Sequence, residues 1–304
     1  MLLAGMDVGG TNFRIGVFEG RDLIWEKRFE ADFSSLCRTK PAEESESMIM
    51  STMASALSEA FREHPGIRAI GIGFPGFIDP GTMRVASSPN LPGLAHVDLR
   101  TPLSSRFGIP VIVENDALAA AYGEQAFSPG ENLIYVGLGT GVGGGLILQG
   151  KPYPGEHGVA MEIGHIIVEA GGRPCGCGNS GCLERYASAS GITLSYRERE
   201  GKTLSSKDVA LLAEKGEASA IASFGLAGSM LGFALSHILK VVDVSSVVIG
   251  GGLSESWHLL GASFGKRLES DLIPVLRGKC EVRVSASGDK AGMLGAACLA
   301  GNQI

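Results

Sequence analysis

The chain has 304 residues and a net charge of −6, with no block of Lys or Arg, which disfavours nucleic acid as a partner because binding to the phosphate backbone needs a basic surface. Its first residues lack the basic start of a signal peptide, and we expect no stretch that reaches the about 18 uncharged apolar residues of a membrane span. We therefore expect a cytoplasmic protein of two lobes, with no membrane partner and with reduced, unpaired thiols at Cys37, Cys280 and Cys298.

Glycine is the compositional outlier, with 45 residues, about twice the usual share, gathered in clusters between predicted strands. The first cluster lies in residues 6–20, M-D-V-G-G-T-N-F-R-I-G-V-F-E-G. The apolar residues on either side predict the two strands of a β-hairpin, with the carboxylate of Asp7 at the mouth of its turn. The backbone N–H groups of such a turn and the hydroxyl of Thr11 can approach phosphate oxygens, although a tight turn without a ligand would explain the same residues.

The chain then alternates between helix and strand. Residues 44–64 predict a helix and 68–74 a buried strand, and a second long helix is predicted at 217–240. Two segments rich in Pro, Gly and Asn follow the strand, at 74–82 and 87–93. They predict either connecting loops or a binding surface.

A short strand predicted at 110–113 leads into Glu114, Asn115 and Asp116, and A-L-A-A-A-Y-G-E then predicts a helix. Asn115 and Asp116 therefore lie at the carboxyl end of a strand and at the N-terminus of a helix. Ligands of open α/β sheets bind at that position, which makes both residues candidates for a site. The alternative is that Asp116 is only the N-cap of the helix.

The hairpin pattern recurs in residues 135–150, Y-V-G-L-G-T-G-V-G-G-G-L-I-L-Q-G, which suggests a duplicated lobe. Gly139, Gly141 and Gly144 match G-x-G-x-x-G, but a dinucleotide-binding fold needs a helix after this pattern, and L-I-L-Q-G predicts a strand. We therefore exclude a Rossmann fold. Two hairpins that each carry a threonine, Thr140 being the second, favour a clasp on phosphate oxygens over two simple turns.

Three cysteines and a histidine lie close together in residues 165–182, H-I-I-V-E-A-G-G-R-P-C-G-C-G-N-S-G-C. The thiolates of Cys175, Cys177 and Cys182, with the imidazole of His165, form a four-ligand set typical of structural zinc. A disulfide is the alternative, and it is disfavoured because Cys-x-Cys rarely meets the required geometry. The run therefore predicts a zinc site.

Two acids flank the cysteine run, Glu162 in E-I-G-H and Glu184 in C-L-E. A structural zinc explains nothing about activity by itself, so these carboxylates are the stronger functional candidates. Because a structural zinc orders its surroundings, we expect its loss to displace both acids. The glycine hairpins are distant in sequence, and we expect them to be unaffected.

The third glycine cluster, V-V-I-G-G-G-L-S at 247–254, differs from the hairpins because a buried strand runs into its three glycines. Ser254 is expected to N-cap a helix that begins at Glu255. A turn of this kind can admit a flat ligand such as a nucleoside. A short apolar helix is predicted further on, at 290–300.

Taken in order, these motifs resemble those of the ROK family of sugar kinases and related repressors. The motifs are D-V-G-G-T-N-F-R, G-F-P-G-F-I-D, S-P-N-L-P-G, E-N-D-A, G-L-G-T-G-V-G-G-G, E-I-G-H, C-G-C-G-N-S-G-C-L-E and V-I-G-G-G-L-S. The resemblance runs from residue 6 to about residue 300. It implies an α/β, actin-like ATPase (ribonuclease H-like) fold with the active site in the cleft between two lobes, and a homodimer. The small lobe would comprise 1–115 with 289–304, and the large lobe, with the zinc loop, 116–288.

The resemblance also implies the activity, an ATP-dependent transfer of the γ-phosphate to a sugar hydroxyl, the 6-OH, with Mg²⁺ and a structural zinc as cofactors. Asp116 would be the general base. The implied sugar-binding residues are Gly76, Asn90, Asn115, Asp116, Glu162, His165 and Glu184, and the implied nucleotide-binding residues are Asp7, Gly9, Gly10, Thr11, Gly139, Thr140, Gly141, Gly250, Gly251 and Gly252. Asp7 would organise Mg²⁺ through water, and His165 would bind zinc with one ring nitrogen and face the sugar with the other.

These residues do not identify the hexose. The similarity of E-H-G-V-A-x-E-I-G-H and S-P-N-L-P-G to glucokinase-like members makes glucose the first candidate, with N-acetylglucosamine, N-acetylmannosamine, allose and fructose as alternatives. One departure is visible, because Met161 stands before Glu162 where the family usually has Gly. The shape of this loop therefore stays open at the level of sequence.

A non-catalytic regulator is the alternative from another functional class. Repressors of the family carry a helix-turn-helix domain ahead of the first glycine motif, and we expect none here because Asp7 lies almost at the start of the sequence. A catalytically inactive sugar sensor would be expected to lack Asp116 or Asp7. The preferred interpretation is therefore a kinase whose partners are a small-molecule hexose and ATP.

Overall fold

Residues 1–128, 130–288 and 290–304 are described by a computed structural model of the chain. They form two compact units. Unit 1 comprises Met1–Glu131, Gly145–Ala160 and Asp289–Ile304, and unit 2 comprises Asn132–Gly144 and Met161–Gly288.

Strands and helices alternate, as the sequence predicts for an α/β protein. The strands are β1 (Leu2–Val8), β2 (Asn12–Glu19), β3 (Asp22–Glu30), β4 (Ile67–Phe74), β5 (Phe77–Ile78), β6 (Val85–Ser87), β7 (Ala95–Val97), β8 (Val111–Asn115), β9 (Leu133–Leu138), β10 (Val142–Leu148), β11 (Lys151–Pro152), β12 (Ser246–Gly250) and β13 (Glu281–Val284). The helices are α1 (Phe33–Thr39), α2 (Ala42–Glu63), α3 (Arg100–Phe107), α4 (Asp116–Gln125), α5 (Glu184–Ala187), α6 (Ala189–Glu200), α7 (Ser206–Glu214), α8 (Ala218–Val242), α9 (Trp257–Asp271) and α10 (Lys290–Gly301), with 3₁₀ turns at Ile163–His165, Gly252–Ser256 and Pro274–Leu276. The segments predicted at 44–64, 68–74, 110–113, 217–240 and 290–300 correspond to α2, β4, β8, α8 and α10, so those predictions are confirmed.

Unit 1 is built on a five-stranded sheet of order β3-β2-β1-β4-β8. β1 and β2 form the predicted antiparallel hairpin, in which Asp7 lies opposite Arg14. β4 runs parallel to β1, and β8 runs parallel to β4. On one face, apolar residues such as Phe13 and Ile15 share a buried cluster with Ile49 of α2. Removing this apolar surface from water stabilises the packing of α2 on the sheet.

Helix α10 covers the opposite face of the same sheet at very short range. A β-carbon on Gly5 would overlap the carbonyl oxygen of Met293, and one on Gly71 would overlap that of Ala296. These two glycines are therefore required by the close approach of helix and sheet.

Helix α4 belongs to unit 1 because it packs directly on α10. A β-carbon on Gly295 of α10 would overlap the carbonyl oxygen of Ala119 in α4, so the two helix backbones lie in contact. The lobe boundary predicted at residue 115 separates these helices, whereas the compact unit continues to Glu131. The difference arises because contacts between segments far apart in sequence leave no local signal in the residues around 115.

Unit 2 is built on the parallel strands β9, β12 and β13, with β12 in the middle and the first residues of β10 beside β9. β11 pairs with the last residues of β10 within unit 1. Each sheet therefore contains a strand–turn–strand hairpin beside two further parallel strands, as expected if the hairpin pattern is duplicated.

Helix α8 is the long apolar helix of unit 2. Among the described residues, it alone is long and apolar enough to cross a membrane, and half of its most apolar window is buried inside the protein. By length and composition, the expectation of no such stretch was wrong for this helix. Its apolar side chains, Phe224, Leu231 and Leu235 among them, are buried, as in the core helix of a globular protein.

Candidate active site

Asn115 and Asp116 lie where the sequence predicts, at the end of β8 and the start of α4. Asn115 is the N-cap of α4, because its Oδ1 accepts the N–H of Leu118 at 3.0 Å. Asp116 is the first residue of the helix, and its Oδ1 accepts the N–H of Ala117 at 2.8 Å. The interpretation of Asp116 as the N-cap is therefore wrong. Its carboxylate lies at the positive end of the helix dipole.

The amide of Asn115 also joins the helix to the Pro/Gly-rich loop. Its Nδ2 donates to the carbonyl oxygen of Gly76 at 3.0 Å. Gly76 has φ = +139°, and a β-carbon there would lie 2.5 Å from Ser87 O. The hydroxyl of Ser88 donates to Pro75 O at 2.5 Å. These contacts fix the loop after β4 beside Asp116, so it is more than a connection.

Asn90 lies in the second Pro/Gly-rich segment and is exposed. Its carbonyl oxygen accepts a hydrogen bond from the hydroxyl of Ser34 at 3.2 Å, and the next residue, Leu91, is fully buried. The backbone of this loop is therefore anchored while the Asn90 side chain is presented to solvent.

Glu114 is a site residue that our candidate set omits. Its Oε1 accepts the N–H of Asn115 at 2.8 Å, so the carboxyl group supports the residue that holds Asp116. Burial raises the pKa of Glu114 to about 7, and the hydrogen bond from Asn115 opposes part of that rise. Three polar residues in a row at the end of an apolar strand are the sequence signal that points to it.

The first glycine hairpin turns at Gly9, whose N–H donates to Asn12 O at 2.9 Å. A β-carbon on Gly10 would overlap the hydroxyl of Ser34, so a side chain there would force that hydroxyl to move. Thr11 is exposed at the tip, and its hydroxyl accepts from Asn12 Nδ2 at 3.2 Å. The turn therefore presents a hydroxyl and backbone groups to solvent.

Asp7 lies at the end of β1, against the first turn of α10. A β-carbon on Gly292 would lie only 2.9 Å from Asp7 Cγ, so the absence of a side chain there leaves room for the carboxylate. Carboxylate oxygens are ligands, direct or through water, that Mg²⁺ accepts. The position therefore suits the predicted role of Asp7.

The second glycine hairpin has a tighter turn than the first and an additional anchor. The N–H of Gly139 donates to Gly141 O at 3.0 Å, and Thr140 between them is exposed. The N–H of Val142 donates to Glu184 Oε2 at 3.1 Å. Glu184 is a predicted sugar-binding residue, and the structure brings it to the hairpin, which we expected to be independent of the cysteine run.

The third glycine turn follows β12 and is only partly as predicted. Gly251 has φ = +79°, and Gly252 has open space where a β-carbon would point. A β-carbon on Gly250 would lie 2.5 Å from Tyr135 OH, so the strand end packs closely. The expected N-cap at Ser254 is wrong, because Gly252–Ser256 forms a 3₁₀ turn and α9 begins after it.

The cysteines and the histidine converge as the sequence predicts. The ligand atoms of His165, Cys175, Cys177 and Cys182 all lie within 4.8 Å of one another. Cys175 Sγ lies 3.8 Å from His165 Nδ1, and Cys177 Sγ lies 3.6 Å from Cys182 Sγ. The sulfur separation is far too long for a disulfide, whose bond is about 2.0 Å. Zinc bonds of about 2.3 Å to sulfur and 2.0 Å to nitrogen give tetrahedral edges of this size, so the four side chains fit a metal.

The other nitrogen of His165 faces away from the cysteines. His165 Nε2 lies 3.9 Å from Glu162 Oε2. Burial raises the pKa of Glu162, the charge of His165 lowers it, and the charge of Glu184 raises it further. Glu162, His165 and Glu184 are thus neighbours within unit 2.

The backbone conformation at Met161 defines the shape of the loop before Glu162. It has φ = +65°, in the left-handed region that glycine favours, and its carbonyl oxygen accepts the N–H of Ile163 at 2.6 Å. A residue with a β-carbon in this region costs about 1–2 kcal/mol. The loop therefore keeps a glycine-like backbone despite the methionine.

Arg173 was missed by the sequence reasoning. Its guanidinium is largely buried and donates to Arg185 O at 2.7 Å and to Ser195 Oγ at 3.0 Å. It also pairs with Glu198 and lies 4.5 Å from the ring centroid of Tyr186. These contacts fasten the cysteine loop to α6. An Arg two residues before a cysteine carries no local signal of this function.

The chain is similar to known proteins over nearly its whole length. The model of the ROK family matches residues 3–303. A glucokinase from Halalkalibacterium halodurans is 32% identical, over 98% of this chain and 94% of that protein. An N-acetyl-D-glucosamine kinase from Salmonella paratyphi B is 33% identical, over 97% of this chain and 98% of that protein.

A solved structure agrees with these sequence relatives. The crystal structure of a ROK family glucokinase from Streptomyces griseus, in complex with glucose and AMPPNP, has a TM-score of 0.83 and 32% identity, and the match covers 99% of this chain and 100% of that one. This similarity confirms the predicted fold class. The chain belongs to the ROK family and has the actin-like ATPase fold of its sugar kinases.

Proposed function

We propose that this protein is an ATP-dependent hexose kinase that transfers the γ-phosphate to a sugar hydroxyl, the 6-OH, with glucose as the first candidate. The observation that carries the proposal is the carboxylate of Asp116, held at the end of β8 and the start of α4 by the contacts of Asn115. The named activities of the full-length relatives, glucokinase and N-acetyl-D-glucosamine kinase, support it. N-acetylglucosamine is therefore the second candidate, ahead of N-acetylmannosamine, allose and fructose.

In this proposal Asp116 accepts the proton of the attacking sugar hydroxyl. Only an ionised carboxylate can accept the proton in that step. General-base catalysis of this kind typically contributes about 10²–10⁴ in rate. Asn115 uses its amide to cap α4 and to hold Gly76 O, and its remaining N–H can donate to a sugar oxygen. Asn90, on its anchored loop, is a second amide available to the sugar.

The other proposed sugar-binding residues lie in unit 2. The carboxylates of Glu162 and Glu184 accept hydrogen bonds from hydroxyls, and His165 Nε2 lies beside Glu162. We propose that zinc is bound by His165 Nδ1 and the three thiolates. His165, with Nδ1 on such a metal, would have a fixed tautomer and ring orientation, and its Nε2 would face the sugar. The donor set and its spacing support this assignment.

The nucleotide groups in this proposal are the three glycine turns and Asp7. Phosphoryl transfer depends on in-line positioning and on neutralising the charge that spreads over the phosphate oxygens. The exposed turns around Thr11 and Thr140 present N–H and hydroxyl groups for this purpose. Mg²⁺, when bound, supplies the remaining positive charge, and Asp7 would hold it through water. The open space over Gly252 suits the nucleoside.

The test is a coupled ADP-release assay over a panel of hexoses, with Asp116→Asn as the matched variant. Amide and carboxylate are nearly isosteric, but only the carboxylate accepts the proton. We expect turnover to fall by about 10²–10⁴ while the affinity for the sugar stays within about tenfold. Retention of more than about a tenth of wild-type turnover would remove Asp116 from the role of base.

We also propose, from the family resemblance, that the enzyme is a cytoplasmic homodimer with no nucleic-acid partner. Size-exclusion chromatography with light scattering measures the mass directly, against a chain of 31.5 kDa. A monomer at micromolar concentration would contradict the dimer without affecting the proposed reaction.

A further inference from the structure

The backbone of the second glycine hairpin is held by one continuous segment, residues 184–190, which comprises α5 and the start of α6. The N–H of Ala189 donates to Gly139 O at 2.9 Å. The hydroxyl of Ser190 donates to Thr140 O at 3.1 Å. The carboxylate of Glu184 accepts the N–H of Val142 at 3.1 Å. The backbone of the turn is therefore fixed at three of its residues, Gly139, Thr140 and Val142.

The Glu184 carboxylate lies where a side chain at position 141 would begin. A β-carbon at Gly141 would overlap Glu184 Oε2, while its φ lies outside the left-handed region. A β-carbon at Gly141 would therefore force the Glu184 carboxylate to move from its position on Val142 N–H. By contrast, a β-carbon on Gly139 would meet open space.

The same segment is tied to the metal-binding side chains. Glu184 follows Cys182 by two residues, and the N–H of the intervening Leu183 donates to Ile166 O at 2.8 Å. A β-carbon on Gly164, beside His165, would overlap Val142 O. The turn that carries His165 therefore contacts Val142, where the hairpin enters β10, and so does Glu184, two residues after the last cysteine.

We propose that Glu184 is a positioning residue for the nucleotide hairpin, and that through it the cysteine loop sets the shape of that hairpin. The inference deepens the proposed function and rests on it for the identity of the ligands. One carboxylate oxygen holds Val142 N–H and the other is available to the sugar, so a single group connects the two binding sites. The shape of the nucleotide hairpin therefore depends on the cysteine loop, although their distance in sequence led us to expect that the two are independent.

The first experiment measures the affinity for AMPPNP with Mg²⁺ by calorimetry, without any sugar. Glu184→Ala removes the acceptor for Val142 N–H and is expected to weaken binding about tenfold. Glu184→Gln keeps an amide oxygen as acceptor and is expected to stay within about threefold of wild type. Glu131→Ala is the control, because it removes an exposed carboxylate outside the proposed site, and AMPPNP affinity should be unchanged.

Two outcomes of this experiment would overturn the proposal. The first is AMPPNP affinity in Glu184→Ala within twofold of wild type. The second is an equal loss in the Gln and Ala variants, since the hydrogen-bond acceptor would then be irrelevant. Melting temperatures of the three variants show whether each is folded, and the Gln variant keeps the test valid if Glu184→Ala unfolds.

The second experiment measures glucose affinity without nucleotide in two variants of the hairpin. Gly141→Ala puts a methyl group where the Glu184 carboxylate lies and is expected to weaken glucose binding about fivefold. Gly139→Ala makes the same change where there is open space and should leave glucose affinity unchanged. Equal effects of the two substitutions would overturn the connection between the sites. If wild-type protein binds none of the hexoses, the proposed substrate fails, while the AMPPNP measurement still decides the role of Glu184.

Discussion

We expect the stability of the wild-type protein to depend on pH through Glu114, and Glu114→Gln should remove that dependence. Burial raises the pKa of Glu114 to about 7 from its ordinary value of 4.5. Between these two pH values the native state holds a proton that the unfolded state has released. The stabilisation of the native state by protonated Glu114 is therefore fully present below pH 4.5 and is lost as pH rises through 7.

The magnitude follows from the same two values. Each pH unit between them is worth about 1.4 kcal/mol, so the free energy of unfolding would fall by at most roughly 3–4 kcal/mol from this group. Partial access of water to the carboxyl group makes about 1–3 kcal/mol the expected range. Glutamine is neutral at every pH and keeps an oxygen for the N–H of Asn115, so the variant should be more stable than wild type above pH 7.

Urea unfolding at intervals between pH 4.5 and 8.5 measures this effect. Unfolding is followed by far-UV circular dichroism and by tryptophan fluorescence, which reports Trp25 in the sheet of unit 1 and Trp257 in α9. Glu131→Gln, at an exposed carboxyl, is the matched control and should keep the wild-type slope. Parallel stability curves for wild type and Glu114→Gln would refute the reasoning.

The remaining predictions concern the hairpin and the metal loop. Thr140→Val should raise the KM for ATP or lower turnover without changing which sugar is preferred, and unchanged ATP dependence in steady-state kinetics would make the hairpin a simple turn. Elemental analysis of reduced protein should find about one zinc per chain. Cys177→Ser should lower the melting temperature, the sugar affinity and, through Glu184, the AMPPNP affinity. Protein without zinc that binds both ligands normally would contradict this. Arg173→Met should lower the free energy of unfolding by about 2 kcal/mol, since hydrogen bonds from a buried charged group are lost, and raise the KM for sugar with little change in kcat. An unaltered KM would limit Arg173 to a purely structural role.

Sequence patterns predicted the elements whose causes are local. Strand periodicity and turn residues located both hairpins, and the spacing of Cys175, Cys177 and Cys182 with His165 identified the ligand set that converges in the structure. The position of Asp116 also followed from a strand end next to a helix start. In each case, the residues that determine the feature lie within one short segment.

The features that were missed depend on partners far away in the sequence. Ser254 is a good N-cap residue, but Gly251 packs against Leu138 O and a 3₁₀ turn delays the helix. Glu184 reaches Val142, 42 residues earlier, and no periodicity reports that contact. The retention of a left-handed backbone at Met161 depends on the fold around it, because the residue type alone argues against that conformation.

The contact between helix α10 and its neighbours divides the glycines of this chain into two kinds. At Gly5, Gly71 and Gly123 a methyl group would overlap a carbonyl oxygen of α10, so substitution there should impair folding whatever ligand is present. At Gly139 and Gly252 a methyl group meets open space, and only a bound ligand would exclude it. In a saturation mutational scan, yield of soluble protein should therefore fall at the first group, whereas growth on the sugar should fall at the second with yield intact. A count of glycine-intolerant positions alone would overstate the size of the nucleotide site.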